Sequence, residues 1–390
     1  MKVKRLISCA VVATLLLAAC GHHGDTRSTT LTTDTLRHAT LLTCQRGEGY
    51  SLWTLRDPWD TTAILHQYLL VSDTAAQPDI SAFHSPLGAC GASLCEEFST
   101  IKVPVRRAGV ATAVHCGLID ELGCGDAIVG VCEKQYIDLP VVSQGLANGS
   151  IADFGNGMNP NIECIMDVAP DVLLLTPFEH SGGYGRVERL DIPIVECAEY
   201  METSPLARAE WIRFYGELFG VETVADSIFS TVEQNYNALC SLAVTSAERP
   251  RILSELPYGG QWFVPCGGST MGIMYRDAAA EYVFADREGS GSVALAFESV
   301  LDAAGEADVW LIKYNSSQPL TYKQLAADFQ PYTLFRAWQQ RHIFGCDLAH
   351  SHFYEQTPFH PDHLLRDIIA ILHPELLPGY ETVYFHSLEP

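Results

Sequence analysis

The stretch that decides the fold is Glu222–Ala243, which reads ETVADSIFSTVEQNYNALCSLA. Apolar side chains recur in it at every third or fourth position, and it contains neither glycine nor proline. This spacing predicts an amphipathic helix of about six turns, or about 33 Å. The pair Arg249-Pro250 follows and is expected to end the helical segment, which we place at residues 205–248.

Both flanks of this helix alternate between helical patterns and short apolar runs. In residues 106–204 the pattern PNIECIMDVAP precedes DVLLLTPF, and in residues 249–390 the pattern FESVLDAAGEA precedes DVWLIKY. Nearly continuous apolar runs are typical of parallel strands that are buried on both faces. The sequence therefore predicts an α/β fold with two doubly wound lobes, one on each side of the long helix.

Residues 39–105 have a different composition from the two predicted lobes. The runs ATLLTC, YSLWTL and ILHQYLLV are rich in residues that favour strands. They are separated by Gly47, Gly49 and the turn pair Asp57-Pro58. We therefore expect a β-rich N-terminal extension that packs on the first lobe.

The first residues have the pattern of an export signal. Lys2, Lys4 and Arg5 precede the apolar run 6–19, which spans about 21 Å as a helix and is shorter than the roughly 30 Å of a bilayer core. Small residues before Cys20 resemble the bacterial lipobox, so we expect a signal peptide at 1–19 and a lipid on Cys20. Residues 20–38 would then form a polar tether, and the lipid would be the membrane contact of a periplasmic protein. An ordinary cleavage site with a chance cysteine is the alternative.

The net charge and the spacing of the cysteines argue against some classes of protein function. The formal net charge of −23 argues against a nucleic-acid partner, because the chain would repel phosphates. The 13 cysteines contain no Cys-x-x-Cys pair, so zinc-ribbon and thioredoxin motifs are absent from the sequence. Cys90 and Cys95 share a glycine-rich loop and are the candidate disulfide, whereas Cys164, Cys197 and Cys240 are expected to be free thiols.

Two β/α lobes joined by one long helix, behind a lipoprotein signal, resemble the helix-backbone class of periplasmic substrate-binding proteins. The stretches that carry the resemblance are AVHCGLIDELGCGDAIVGVC, FGNGMNPNIECIMDVAPDVLLLTPFE, CGGSTMGIMYRDAAAEYVFAD, AFESVLDAAGEADVWL and PFHPDHLLRDIIAILHPELLP. They lie within residues 100–378, and their texture is most like Bacteroidetes members of the family. The resemblance implies a monomer that delivers cargo to the membrane subunits of an ABC importer.

The same resemblance implies which ligand is carried and where on the protein it binds. The cargo would be an iron chelate, meaning a siderophore or haem, or else cobalamin, held between the lobes by loops that follow the strands. No catalytic residue is expected, and no cofactor is expected to be covalently bound apart from the lipid. The residues that we expect to line the cleft are His115, Tyr136, Glu179, His180, Tyr184, Tyr258, Trp262, Phe263, Tyr314, His352 and Tyr354.

Two other functions stay open at this point. A zinc- or manganese-binding importer component would use a cleft ligand set drawn from His115, Glu179, His180 and His352. A chelatase-like tetrapyrrole enzyme would use a histidine with Glu179, but an export signal and the absence of catalytic motifs disfavour it. His360 and His363 flank a predicted helix start and are expected at the surface or as capping groups.

Overall fold

The computed structural model describes residues 32–34, 36–74, 98–179, 183–316 and 318–389. The predicted signal peptide, Cys20, the disulfide candidates Cys90 and Cys95, and His180 lie outside the described residues. Within the described part of the chain, every helix is too short or too polar to cross a membrane. The nine cysteines described there, which include Cys164, Cys197 and Cys240, are free thiols.

The N-terminal extension is a five-stranded sheet, as its β-rich sequence predicts. Its first four strands are antiparallel, and the fifth runs parallel to the fourth. Its strands are β1 Thr32–Asp34, β2 Leu42–Gly47, β3 Tyr50–Arg56, β4 Ile64–Ser72 and β5 Ser99–Val103.

Buried carboxylates hold this extension against the rest of the chain. Glu210 accepts backbone N–H bonds from residues 37–39 at 2.7–2.9 Å, and Glu202 accepts those of residues 40 and 41. Glu217 accepts the indole N–H of Trp53 at 3.0 Å. Residues 37 and 38, which the sequence analysis assigned to the tether, are therefore bonded to the body of the protein.

The first lobe is built on a six-stranded sheet of order β11-β10-β6-β7-β8-β9. Every neighbouring pair is parallel except β8 with β9, which form a hairpin. All residues of β7 and β10 are buried, as strands covered by helices on both faces require. The elements are β6 Ala108–Val110, α1 Ala113–Glu121, β7 Ile128–Cys132, α2 Pro140–Asn148, β8 Ala152–Asn156, β9 Asn159–Pro160, α3 Ile162–Val168, β10 Val172–Leu175 and β11 Ile194–Glu196.

Three helices follow the first sheet. They are α4 Pro205–Glu210, α5 Ile212–Phe219 and α6 Glu222–Ala243. The last of these has the bounds that the apolar spacing predicts, so the prediction of a long helix is confirmed. The N-terminus of α5 adjoins α4 at Trp211, and Gly220 ends α5 with a positive φ of 70°, a conformation that glycine adopts without strain.

The second lobe contains a five-stranded sheet of order β14-β12-β16-β17-β18, parallel except for β18, and a separate antiparallel pair, β13 with β15. The α/β class predicted from the sequence is confirmed. The elements are β12 Arg251–Ser254, β13 Trp262–Pro265, α7 Thr270–Asp277, β14 Glu281–Tyr282, β15 Ser292–Leu295, α8 Phe297–Ala304, β16 Val309–Tyr314, α9 Tyr322–Asp328, α10 Arg336–Gln339, β17 Ile343–Asp347, α11 Phe353–Gln356, α12 Pro361–Leu372 and β18 His386–Ser387.

Helix α6 contacts the α4–α5 segment and helices of the second lobe. In its N-terminal half, the guanidinium of Arg213 in α5 lies 4.9 Å from the ring centroid of Phe229. Further along, Asn235 donates to Asp362 in α12 at 3.0 Å, and the Tyr236 hydroxyl donates to Asp277 in α7 at 2.9 Å. The helix thus joins the α4–α5 segment to the helices of the second lobe.

Candidate functional site

A cavity of about 710 Å³ opens at the carboxyl edge of the first-lobe sheet, where its parallel strands end. Thr112 follows β6, Glu133 follows β7, and residues 176–179 follow β10 along the wall of this cavity. Ligands of open α/β sheets bind outside the carboxyl ends of strands. The cavity therefore lies where the sequence pattern places the first half of the binding cleft.

Glu133 shapes one wall of the cavity through three hydrogen bonds. Its carboxylate accepts from Asn156 Nδ2 at 2.7 Å, from the Gly157 backbone N–H at 3.0 Å and from Gln135 Nε2 at 2.7 Å. These bonds fix the β8–β9 hairpin, whose turn carries Met158 with 72% of its surface exposed. A large apolar side chain is thereby held on a rigid turn at the cavity mouth.

Tyr184 and Glu196 form an unusual pair beside the cavity. The Tyr184 hydroxyl and Glu196 Oε2 are buried, and the Tyr184 hydroxyl faces the Glu196 carboxyl as its hydrogen-bonding neighbour. Burial, and then the nearby carboxyl of Asp57, raise the pKa of Glu196 to about 7. Burial, and then Glu196, raise the pKa of Tyr184. A buried carboxyl whose pKa lies this far above its usual range is a frequent feature of functional sites.

The second lobe presents its own carboxyl edge to this region. His352, which follows β17, places Nε2 3.9 Å from the carboxylate of Asp138 in the first lobe. Tyr258 follows β12 and is 82% exposed, Tyr354 follows β17 and is 49% exposed, and Phe263 on β13 is 42% exposed. In the first lobe, Phe178 follows β10 and is 46% exposed, so exposed aromatic rings follow strands of both sheets.

Trp262 does not line the cleft in this structure, which corrects the expectation that it would. Its indole is fully buried, donates to the Ser254 carbonyl at 3.0 Å and lies 5.5 Å from Trp310 between ring centroids. The segment is strand β13 and not a loop, so neighbouring side chains point to opposite faces. Trp262 enters the core, and Phe263 faces outward.

His115 is also buried and does not stand on the rim. Thr112 Oγ1 lies 2.6 Å from its Nδ1, and its Nε2 lies 3.2 Å from the Tyr215 hydroxyl and 3.3 Å from Glu199 Oε1. Burial opposes protonation, but Cys197 and Glu199 raise the pKa of His115 to about 10. Burial would raise the pKa of Glu199, yet His115 lowers it to about 2. We therefore assign His115 to a buried ion pair beneath the cavity floor.

The other predicted site residues occupy the two edges. Glu179 and Tyr184 line the cavity, Tyr136 is 64% exposed after β7, and Tyr314 ends β16. Their role in binding stays a prediction. Glu133, Met158 and Phe178 also line the cavity, in stretches that the resemblance places on the rim of the first lobe. Thr112 and Arg186 line it as well and were not expected from the sequence, although each lies just after a strand or in the loop that follows one.

Two groups of His, Cys, Asp and Glu converge closely enough to hold a metal ion within the described part of the chain. One is His115, Cys197 and Glu199, and the other is His360, Asp362 and His363. Neither group contains Glu179 or His352. The described members of the ligand set expected for a zinc- or manganese-binding cleft are therefore not brought together.

A second cavity, of about 1040 Å³, lies in the second lobe at the opposite sheet edge. Its walls include Pro250, Asp308 and His342, which precede β12, β16 and β17. The amino ends of parallel strands are not where open α/β sheets bind their ligands. We therefore take the smaller cavity at the carboxyl edge as the candidate site.

Comparison with known proteins identifies the class of the molecule. The family model of periplasmic binding proteins matches residues 112–349, which is more than half of the chain. The chain belongs to this family. It is therefore a periplasmic binding protein, a protein that binds a small ligand and catalyses no reaction.

Curated relatives come from the archaeon Methanocaldococcus jannaschii. An uncharacterized lipoprotein of this organism is 27% identical over 306 residues, which cover 75% of this chain and 71% of the relative. A second uncharacterized lipoprotein is 21% identical over 342 residues, covering 83% of this chain and 80% of the relative. Family membership together with these relatives indicates an extracytoplasmic protein.

Solved structures share the fold at low sequence identity. A periplasmic haem-binding protein of Pseudomonas aeruginosa has a TM-score of 0.57 at 16% identity, covering 73% of this chain and 99% of its own. The molybdate-binding protein of a Haemophilus influenzae ABC transporter has a TM-score of 0.58 at 19% identity, covering 73% and 90%. The periplasmic vitamin B12 binding protein of Vibrio cholerae has a TM-score of 0.50 at 14% identity, covering 71% and 99%.

Proposed function

We propose that the protein captures an iron chelate, meaning a siderophore or haem, or else cobalamin, between the carboxyl edges of its two lobes and delivers it to an ABC importer. The observation that carries this proposal is the placement of exposed aromatic rings. Four of the six exposed aromatic side chains among the described residues come after strands of the two main sheets, at their carboxyl ends, and a fifth, Phe263, lies on β13 shortly after Tyr258: the four are Tyr136, Phe178, Tyr258 and Tyr354.

Such a concentration favours a bulky ligand with flat or apolar faces. Single exposed apolar residues are common on any protein surface, whereas a group that rims one groove marks a binding site. Aromatic rings provide large contact areas for macrocycles and chelates at little cost in side-chain entropy. The cavity of about 710 Å³ also falls within the usual range for small-molecule sites.

Polar groups on the first lobe supply the orienting contacts in this proposal. Arg186 and Glu179 line the cavity with opposite charges, and the buried hydroxyl of Tyr184 lies beside them. A chelate with carboxylate, propionate or amide groups offers partners for all three side chains. Binding involves no bond-making step, and affinity comes from apolar burial together with these few polar contacts.

The test compares ring-deletion variants with a matched control. The full chain is incubated in turn with haemin, cobalamin and ferric siderophores, desalted, and scanned for retained absorbance. We expect one class to be retained, and Phe178→Ala and Tyr258→Ala to weaken its binding about tenfold each. Leu334→Ala, which removes an exposed apolar side chain elsewhere, should leave binding unchanged. Retention of no ligand class, or equal losses in all three variants, would reject the proposal.

Anchoring through a lipid on Cys20 forms part of the proposed function. The lipobox-like residues before Cys20 and the lipoprotein relatives support it. We expect the native protein to fractionate with membranes and the Cys20→Ala variant to be released in soluble form. Detergent-dependent extraction of Cys20→Ala would show that another feature holds the protein at the membrane.

A further inference from the structure

A cluster of two histidines and one aspartate lies at the start of α12, away from the cleft. His360 Nδ1 lies 3.8 Å from Asp362 Oδ1, and His363 Nε2 lies 3.9 Å from Asp362 Oδ2. The two imidazole rings are stacked, with centroids 4.7 Å apart and an interplanar angle of 19°. One donor atom from each residue can be chosen so that all three lie within 4.8 Å of one another.

The carboxylate at the centre of this cluster is incompletely satisfied. Asp362 is only 1% exposed, and its Oδ2 accepts a hydrogen bond from Asn235 Nδ2 at 3.0 Å. Its Oδ1 is buried and has no hydrogen-bond partner among the described residues. Leaving a buried carboxylate oxygen without a partner is costly, so the site is built for a ligand that supplies positive charge.

Glu121 orients His360 for such a ligand. The Glu121 carboxylate, at the end of α1 in the first lobe, hydrogen-bonds His360 Nε2 at 2.5 Å. A metal-binding histidine commonly donates its second ring N–H to a carboxylate, which fixes the ring and strengthens the ligand. With Nε2 engaged, Nδ1 of His360 is the nitrogen directed at Asp362.

We propose that His360, Asp362 and His363 bind a divalent transition-metal ion of the zinc class. Imidazole nitrogens with one carboxylate suit zinc, whereas calcium and magnesium prefer sites made of oxygen ligands alone. Ligand atoms about 2.0–2.1 Å from a tetrahedral ion lie about 3.3 Å apart, so small side-chain rotations close the present spacing. His363 is 45% exposed, which gives the ion a path from solvent and leaves a coordination position for water.

The metal would reinforce the junction between the lobes. Glu121 belongs to α1, Asn235 belongs to α6, and the three ligands belong to the start of α12. Glu121 lies at the far end of α1 from Thr112, about 13 Å along the helix from the cavity. The ion is therefore a structural component and not the transported cargo, and the site differs from the zinc or manganese cleft considered from the sequence.

The test measures zinc binding to metal-stripped full chain by calorimetry, without any cargo. We expect about one zinc ion per chain, binding weakened about 100-fold or more by His363→Ala and by His360→Ala, and about tenfold by Glu121→Gln. His350→Ala is the matched control, since His350 is exposed and also pairs with an aspartate, Asp347. A His22→Ala/His23→Ala variant controls for the adjacent histidines near the N-terminus.

Thermal unfolding provides a second readout that separates binding from folding. Zinc should raise the Tm of the wild type and of both control variants, but not that of His363→Ala, whose exposed side chain is dispensable for folding. The proposal is overturned if zinc does not bind, if His363→Ala binds it as well as the wild type, or if binding disappears only in the His22/His23 variant. Because no chelate is used, failure here leaves the proposed cargo function standing, and the reverse also holds.

Discussion

The carboxyl edges of the two lobes each hold a partly buried carboxylate, but the groups that surround the two carboxylates differ. In the second lobe, the Glu255 carboxylate forms an ion pair with the ammonium of Lys313 at 2.7 Å. In the first lobe, Glu196 faces the buried hydroxyl of Tyr184, which hydrogen-bonds it, and the carboxyl of Asp57, which raises its pKa. The second edge is electrostatically closed, since its carboxylate is paired with a cation, whereas the carboxyl of the first edge lies near a second carboxyl beside an open cavity.

This difference indicates a division of labour between the lobes. The closed second edge is a rigid support from which Tyr258 and Phe263 project as rings. The first edge places polar side chains in the wall of the cavity, where a ligand can contact them. The first lobe would therefore recognise polar groups of the ligand, and the second lobe would contact its apolar faces. Substitutions in each lobe test this division.

The largest effect is expected from neighbouring rings on β13. Trp262→Ala should lower the free energy of unfolding by about 3–5 kcal/mol, because it empties a fully buried site in the core of the second lobe. Phe263→Ala should cost less than about 1 kcal/mol, because its ring is 42% exposed, but should weaken cargo retention. Denaturant unfolding measures both values. Equal losses of stability would contradict the alternation of the two rings.

The second-largest loss of stability is expected when the ion pair between Glu255 and Lys313 is broken. Burial alone would lower the pKa of Lys313, but Glu255 raises it. Glu255→Gln leaves that ammonium without a counter-charge and should destabilise the fold by about 2–3 kcal/mol. Glu281→Gln, which breaks the largely exposed pair with Arg251, should cost less than about 0.5 kcal/mol. Equal losses in the free energy of unfolding for the two variants would show that the Glu255–Lys313 ion pair does not stabilise the second edge.

A smaller, pH-dependent effect is expected on the first edge. The folded state keeps Glu196 protonated up to a pKa of about 7, whereas the unfolded chain releases that proton near 4.5. Stability contributed by this group is therefore present at low pH and falls as pH rises from about 4.5 to 7. The difference between these pKa values corresponds to about 3 kcal/mol, which solvent screening of a partly exposed group reduces. We therefore expect the free energy of unfolding of Glu196→Gln to exceed that of the wild type by about 2 kcal/mol at pH 8 and to match it at pH 4.5.

The control for this pH effect is Glu163→Gln, which replaces an exposed carboxylate of the same lobe. Urea unfolding at both pH values measures all three proteins. A gain in stability for Glu196→Gln that is the same at pH 4.5 and pH 8 would mean that the Glu196 carboxyl is not the titrating group.

The framework of the fold was predictable because periodicity reports burial directly. The spacing in Glu222–Ala243 gave the helix with its bounds, and the continuous apolar run 172–175 marked a central parallel strand. Side-chain direction was harder to predict. Trp262 and Phe263 are adjacent rings of similar chemistry, and only pairing with β15 decides which one is buried.

The candidate site was only partly predictable for a related reason. Loops that follow strands can be located from sequence, and Tyr184 and Tyr258 could therefore be predicted to lie at the two edges. The burial of His115 depends on Glu199 and Tyr215, which are distant in sequence, so no local pattern reveals it. The same holds for the contact of Glu121 with His360, which are 239 residues apart.

Hydroxyl-radical footprinting of the protein with its retained chelate tests most directly whether cargo lies between the two carboxyl edges. The account predicts protection of Met158 and Phe178 on the first lobe together with Tyr258 on the second. It also predicts unchanged labelling of Tyr380, which lines the larger cavity at the opposite edge. Protection of Tyr380 with the three cleft residues still labelled would contradict the account.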